Sequence, residues 1–269
     1  MKRTVLLFFT LSLFLIQAKA SVIDSLRVYS PSMDRSIRVN VVVPDKQSKP
    51  CPVIYLLHGH GGNADSWLII KPELKQYADR YQLIFVCPDG ESSWYWDSPL
   101  NPKSQFETFV AKELVSYIDT HYSTLPRKQA RAIAGLSMGG HGAMWLSFRH
   151  PDVFGAAGSM SGGVDIRPFP DNWDMKKQIG EKDKYPEVWE SHTALSQIER
   201  IKPGDVALIL CCGYDDFFFR VNCEFHERLL AHGIQHDFLV NAGAHTPQYW
   251  ANAIDYQLLF FIKFFQNQK

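Results

Sequence analysis

The chain has 269 residues, 28 Lys and Arg against 28 Asp and Glu, and a formal net charge of zero, with 46% hydrophobic residues. That balance offers no electrostatic footprint for nucleic acid or an anionic membrane, so neither is expected as a partner. The length and apolar fraction suit one domain with a large core, and the five cysteines contain no C-x-x-C pair that would mark a zinc or dithiol site.

Lys2 and Arg3 precede an apolar run over residues 5–16, and Ala18-Lys19-Ala20 follows. A charged start, an apolar centre and a small-x-small end make a secretory signal peptide, with cleavage expected after Ala20. The run is short for a membrane span. The expectation is a periplasmic or secreted protein whose mature domain, residues 21–269, keeps no stable membrane insertion. An odd cysteine count in an exported chain leaves at least one thiol free. Most of Cys51, Cys87, Cys211, Cys212 and Cys223 read as small buried hydrophobes, with one disulfide involving Cys223 left open.

Residues 26–29 and 36–43 alternate like antiparallel strands. After Pro52 the pattern becomes strand and helix in turn. A strand over 53–57 runs into the loop His58-Gly59-His60-Gly61-Gly62. A helix is expected near 64–77, a strand over 83–86 and a helix over 106–122. The apolar run Ala132-Ile133-Ala134 meets Gly135-Leu136-Ser137-Met138-Gly139-Gly140, and a helix-like run over 143–148 follows. Residues 154–160 form the next strand. Residues 162–202 are irregular, with Pro168, Pro170 and Pro186, and read as a cap or flanking insertion. Strands over 205–210 and 236–240 lead into Gly213-Tyr214-Asp215-Asp216 and Gly243-Ala244-His245. A last helix, 249–265, turns Trp250, Ile254, Leu258, Phe261 and Phe265 inward. The fold class is α/β, a mostly parallel sheet flanked by helices with an antiparallel amino-terminal part.

G-x-S-x-G between a strand and a helix is the nucleophile elbow of the α/β-hydrolases. The serine occupies a sharp, strained turn, and glycines on either side remove side chains that would clash. Ser137 is the expected nucleophile. It needs a base, and the base needs an orienting acid, in the chain order Ser, Asp or Glu, His. His245 is the expected base, and Asp215 or Asp216 the acid. An oxyanion hole needs two backbone donors. One is the amide of Met138. The other comes from the glycine-rich loop after strand 53–57, with His60 favoured and Gly61 the alternative. Trp67, Trp94, Tyr95, Trp96 and Trp173 lie on loops near strand ends and as a group favour a bulky substrate, with Trp67, Trp94 and Trp96 the expected substrate contacts. Two other readings remain: a metallohydrolase built on His58-x-His60, and a non-catalytic binding domain on the same fold.

Together, residues 52–62, Pro88-Asp89-Gly90, residues 94–99, 135–142 and 150–154, 213–217, and Gly243-Ala244-His245 resemble the esterase D-like family of α/β-hydrolases. That family includes S-formylglutathione hydrolases, feruloyl and acetylxylan esterases, and mycolyltransferases. The resemblance runs through most of the chain after the first strands. In the family the acid is typically the second of the pair, before an apolar residue, which implies Asp216 followed by Phe217. Where the family often has Trp after its His-Thr, this chain has Pro247. The resemblance implies a serine carboxylesterase working through an acyl-enzyme, with no cofactor and no metal. The implied substrate is a small-molecule or glycan ester, with acetyl or feruloyl groups on carbohydrate favoured because of the export signal. An S-formylglutathione hydrolase-like thioesterase or an acyltransferase is the alternative.

Overall fold

In the computed structural model, which describes residues 22–267, strand residues alternate between two hydrophobic clusters, one on each face of a single sheet. Val53, Tyr55 and Leu57 enter one cluster and Ile54 and Leu56 the other, as the two-residue period of a strand requires. The strands are β1 (Val22–Ser30), β2 (Arg35–Val43), β3 (Val53–Leu57), β4 (Ile84–Pro88), β5 (Arg131–Leu136), β6 (Ala156–Met160), β7 (Ala207–Gly213) and β8 (His236–Asn241). Their spatial order is β1-β2-β4-β3-β5-β6-β7-β8. β1 and β2 are antiparallel to their neighbours, and β4 through β8 run parallel. Sequence-expected strands and observed strands agree in number and chain order, with ends shifted by at most four residues.

The helices are α1 (Ser66–Ile70), α2 (Leu74–Tyr81), α3 (Phe106–Thr108), α4 (Val115–His121), α5 (Met138–Arg149), α6 (Met175–Ile179), α7 (Pro186–Ser191), α8 (Phe219–Ala231) and α9 (Pro247–Gln266). α1, α2 and α9 cover one face, while α3, α4, α5 and α8 cover the other. The single helix expected near 64–77 is two helices. Lys71 leaves the helical region (φ −134°, ψ 74°) because Pro72 disfavours helical geometry in the residue before it. A π-helical stretch, Phe109–Leu114, joins α3 to α4, so the helix expected over 106–122 is one helical run with a widened middle. Pro247 is the first residue of α9, where a missing N–H costs nothing, and the Thr246 hydroxyl caps that end by accepting from Tyr249 N–H at 3.3 Å. Phe265 is only half-buried.

Chain order reverses at the centre of the sheet. From β3 the chain moves outward to β4, then returns past β3 to β5. The loops after β3 and β5 therefore flank the crevice at the carboxyl ends of the strands, where doubly wound sheets gather their ligand-handling groups. All five thiols are free, and Cys51, Cys87, Cys211 and Cys212 are buried. Among the described residues no helix is long and apolar enough to cross a membrane. The signal peptide expected over residues 1–20 lies outside the described residues.

Candidate active site

The elbow between β5 and α5 is built by close backbone approach. A Cβ on Gly135 would sit 2.2 Å from the Gly139 carbonyl oxygen, and one on Gly139 would sit 2.3 Å from the Leu57 carbonyl oxygen. No larger residue fits either position without moving backbone. Between them Ser137 takes φ 55° and ψ −119°, a region that L-residues avoid and that clusters at functional sites. Ser137 N–H donates to the Met160 carbonyl of β6 at 2.9 Å, which pins the strained residue to the neighbouring strand.

Two more strand ends bring their residues to Ser137. His245, after β8, has Nε2 2.9 Å from Ser137 Oγ, and its Nδ1 lies 2.9 Å and 3.1 Å from the two carboxylate oxygens of Asp216, after β7. A carboxylate only accepts, so the neutral imidazole carries its proton on Nδ1 and presents a bare Nε2 to the serine hydroxyl. The Asp216 side chain is fully buried and also accepts from Phe218 N–H at 2.8 Å. Asp215 is exposed and meets this group only through its backbone, whose N–H donates to the Gly243 carbonyl. The geometry therefore separates the two aspartates.

The loop after β3 forms a tight turn in which Gly62 N–H donates to the Gly59 carbonyl at 3.0 Å. Gly61 takes φ +77° with nothing within 4 Å of its would-be Cβ, so the backbone angle, and not space, calls for glycine there. The loop lies on the elbow: a Cβ on Gly59 would come 3.2 Å from Ser137 Cβ. Met138 opens α5, so its N–H has no carbonyl of its own helix to donate to. The His60 side chain points away, with Nε2–H donating to Asp174 at 3.3 Å. His58 is buried. Its Nδ1–H donates to the Gly59 carbonyl at 2.7 Å, and its Nε2 accepts from Gly90 N–H at 2.8 Å. Both its ring nitrogens are used in joining two loops, which weighs against the metal reading of His58-x-His60.

The three tryptophans expected at the substrate are elsewhere. Trp67, Trp94 and Trp96 are each at most 1% exposed, so none offers a ring face to a ligand. Trp67 projects from α1 into the core and donates to the Leu57 carbonyl at 2.9 Å. Trp94 and Tyr95 both take left-handed backbone angles, φ 57° and 60°. That double turn folds the loop after β4 inward, stacking Trp94 on Trp96 and sending the Tyr95 hydroxyl to the His58 carbonyl. Of the loop aromatics read from the sequence, the partly buried Trp173 is at the crevice, beside Phe217, which is 52% exposed. Phe217 lies with its ring centroid 4.3 Å from that of His245, and Trp173 stacks on Phe217 at 5.6 Å. Trp250 meets the other side of the imidazole edge-on at 4.9 Å. Adjacency to Asp216 was the available signal for Phe217. Nothing local marks Asp174.

Beneath the elbow, His141 is completely buried among Trp94, Trp96 and Trp145. Burial pushes its pKa down to about 3, against weaker opposing hydrogen bonds from neighbouring carbonyls, so it stays neutral. Against the far end of α5, burial alone would raise the carboxyl of Glu107 on α3. Hydrogen bonds from His150, Arg149 and Trp145, with the Arg149 charge, reverse that and hold it at about 2. These groups anchor α5 and lie outside the Ser137 crevice.

Comparison with known proteins fits this architecture. A full-length relative, acetyl esterase of Caldicellulosiruptor saccharolyticus, is 22% identical over 260 residues, covering 87% of this chain and 97% of that protein. The solved structure of the Staphylococcus aureus fluorophosphonate-binding serine hydrolase FphF superposes with a TM-score of 0.82 at 21% identity, covering 91% of this chain and 99% of that one. At that identity it shows a shared fold. A ferulic acid esterase structure superposes with a TM-score of 0.78 at 28% identity, covering 91% of this chain and 99% of that one. The family model described as "Putative esterase" matches residues 30–261. This chain belongs to that esterase family, and its fold is that of the α/β-hydrolases.

Proposed function

We propose that the chain is an exported, single-domain serine carboxylesterase that cleaves acetyl or hydroxycinnamoyl esters of carbohydrates through an acyl-enzyme. The observation that carries this reading is the hydrogen-bonded line from Ser137 Oγ through His245 to the buried Asp216 carboxylate, with both links at 2.9 Å. Ser137 Oγ attacks the ester carbonyl while His245 Nε2 takes its proton. Asp216 holds the ring in the required tautomer and stabilises the imidazolium that forms. The negative charge on the carbonyl oxygen is met by the amides of Met138 and His60. His245 then returns the proton to the departing alcohol, leaving the acyl group on Ser137. Water, deprotonated by the same nitrogen, releases the acid and restores the serine. None of these steps calls on a metal or cofactor.

The carbohydrate-ester reading draws on two relatives, one named acetyl esterase and one named ferulic acid esterase. It also draws on the export signal read from residues 1–20, since an exported enzyme seldom meets the cytosolic glutathione pool. The exposed face of Phe217 beside His245 suits a planar acyl group or the apolar face of a sugar. Specificity is a ratio of kcat/KM values, so the test compares acetylated and feruloylated oligosaccharides with S-formylglutathione and long-chain acyl esters. The expected order puts an oligosaccharide ester first. A wide margin for S-formylglutathione, or turnover of long-chain esters alone, overturns the substrate assignment.

A further inference from the structure

Within residues 162–202, the dipeptide Trp173-Asp174 lies between Phe217 and His60, on either side of the ester-cleaving groups. Trp173 and Asp174 both hold left-handed angles, φ 49° and 57°, although neither is glycine. Two such residues in succession are costly and persist only where surrounding contacts fix them. Here the contacts run in both directions. The Trp173 carbonyl accepts from the buried Trp94 indole N–H at 3.1 Å, which ties the dipeptide to the inward-folded loop after β4. The Trp173 ring stacks on Phe217, which covers His245. The Asp174 carboxylate reaches the other way and accepts from His60 Nε2–H at 3.3 Å.

His60 is the residue whose orientation matters most in its loop. It is the second residue of the Gly59–Gly62 turn, and Gly61 beside it has no side chain to pack. The turn is pinned on one side by Gly59 against Ser137. On the other side the His60 side chain finds Asp174, half-exposed at the amino end of α6. Lys177 approaches the second Asp174 oxygen at 2.8 Å.

We propose that Asp174 is a positioning residue: its hydrogen bond from the His60 imidazole fixes the His60 peptide N–H at the developing oxyanion and couples the segment before α6 to bond cleavage. The proposal rests on the reading of the His60 amide as an oxyanion donor. A donor loosened rather than deleted costs less than the ~10²–10³-fold of outright removal, so a loss of about tenfold is expected.

The test is steady-state hydrolysis of p-nitrophenyl acetate and butyrate by Asp174→Ala and Asp174→Asn. The contact strengthens only the transition state, so kcat falls about tenfold in Asp174→Ala with KM within twofold, equally for both esters. Asp174→Asn keeps an acceptor oxygen and falls between Asp174→Ala and the unsubstituted enzyme. Lys177→Ala, which removes the other partner of Asp174, changes kcat less than twofold. The double variant His60→Ala/Asp174→Ala is no slower than the slower single variant, because both break one contact. A kcat within twofold of wild type in Asp174→Ala, a rise in KM alone, or losses that multiply in the double variant overturns the proposal. Ser137→Ala serves as the separate check. If it retains activity, the underlying reading fails. If it is inactive while Asp174→Ala is normal, only the positioning role fails.

Discussion

Replacing Asp216 by Asn tests how the imidazole is oriented. The carboxylate accepts from His245 Nδ1–H at 2.9 and 3.1 Å and from Phe218 N–H at 2.8 Å. An asparagine has one acceptor oxygen, and Phe218 N–H is fixed in the backbone, so the amide oxygen stays there and the NH2 group faces the ring. His245 Nδ1 must then accept, and its proton moves to Nε2. A protonated Nε2 cannot take the Ser137 proton. Trapping the wrong tautomer costs about 10⁴-fold in kcat, equivalent to about 5.5 kcal/mol of transition-state stabilisation. Asp215→Asn alters an exposed side chain whose backbone contact remains, so activity stays within about threefold, as for surface changes of about 0.5 kcal/mol. The assay is hydrolysis of p-nitrophenyl acetate by both variants, with melting curves to show that each is folded. A larger loss in Asp215→Asn than in Asp216→Asn refutes the reasoning.

Gly139→Ala places a Cβ 2.3 Å from the Leu57 carbonyl oxygen and 2.7 Å from that of His58. Backbone must move, so denaturant unfolding should show a loss of about 3 kcal/mol; a loss under about 1 kcal/mol contradicts the packing argument. Stability should fall as pH drops below about 6.5. The unfolded chain then protonates His141, while the folded chain refuses the proton until about 3. Each pH unit in that window costs on the order of 1 kcal/mol. Burial lowers His192 and His236 in the same sense. Below the ordinary carboxylate range Glu107, held at about 2, adds to the slope. Denaturation free energies that are flat between pH 6.5 and 4.5 would disprove this. Exhaustive EDTA treatment should leave esterase activity unchanged, whereas a loss that zinc restores revives the metal reading.

The elbow was legible because its chemistry is steric and local. Five consecutive residues specify a turn that only Gly135 and Gly139 permit, and strand and helix patterns on either side place it. The sequence reading misses the break before α2, because the pattern of apolar residues suggests one helix and leaves out the effect of Pro72 on Lys71. The choice of Asp216 over Asp215 needed the family resemblance, since both follow the same strand and differ only in which one turns toward His245. Trp94 and Trp96 misled because proximity to a strand end says nothing about which way a loop folds. Two left-handed residues at Trp94 and Tyr95 send that loop inward, and no glycine or asparagine announces them. The contact between His60 and Asp174 joins residues 114 positions apart, and no local pattern encodes it.

The central claim, that Ser137 is the nucleophile activated by His245, is tested most directly by labelling the purified protein with a fluorophosphonate and mapping the adduct by mass spectrometry. The account predicts one adduct, on the peptide containing Ser137, absent from Ser137→Ala and strongly slowed in His245→Ala. It also predicts that Ser137→Ala loses about 10³-fold or more in activity while melting like the unsubstituted protein. An adduct on another residue, or esterase activity of Ser137→Ala within tenfold of wild type, would contradict it.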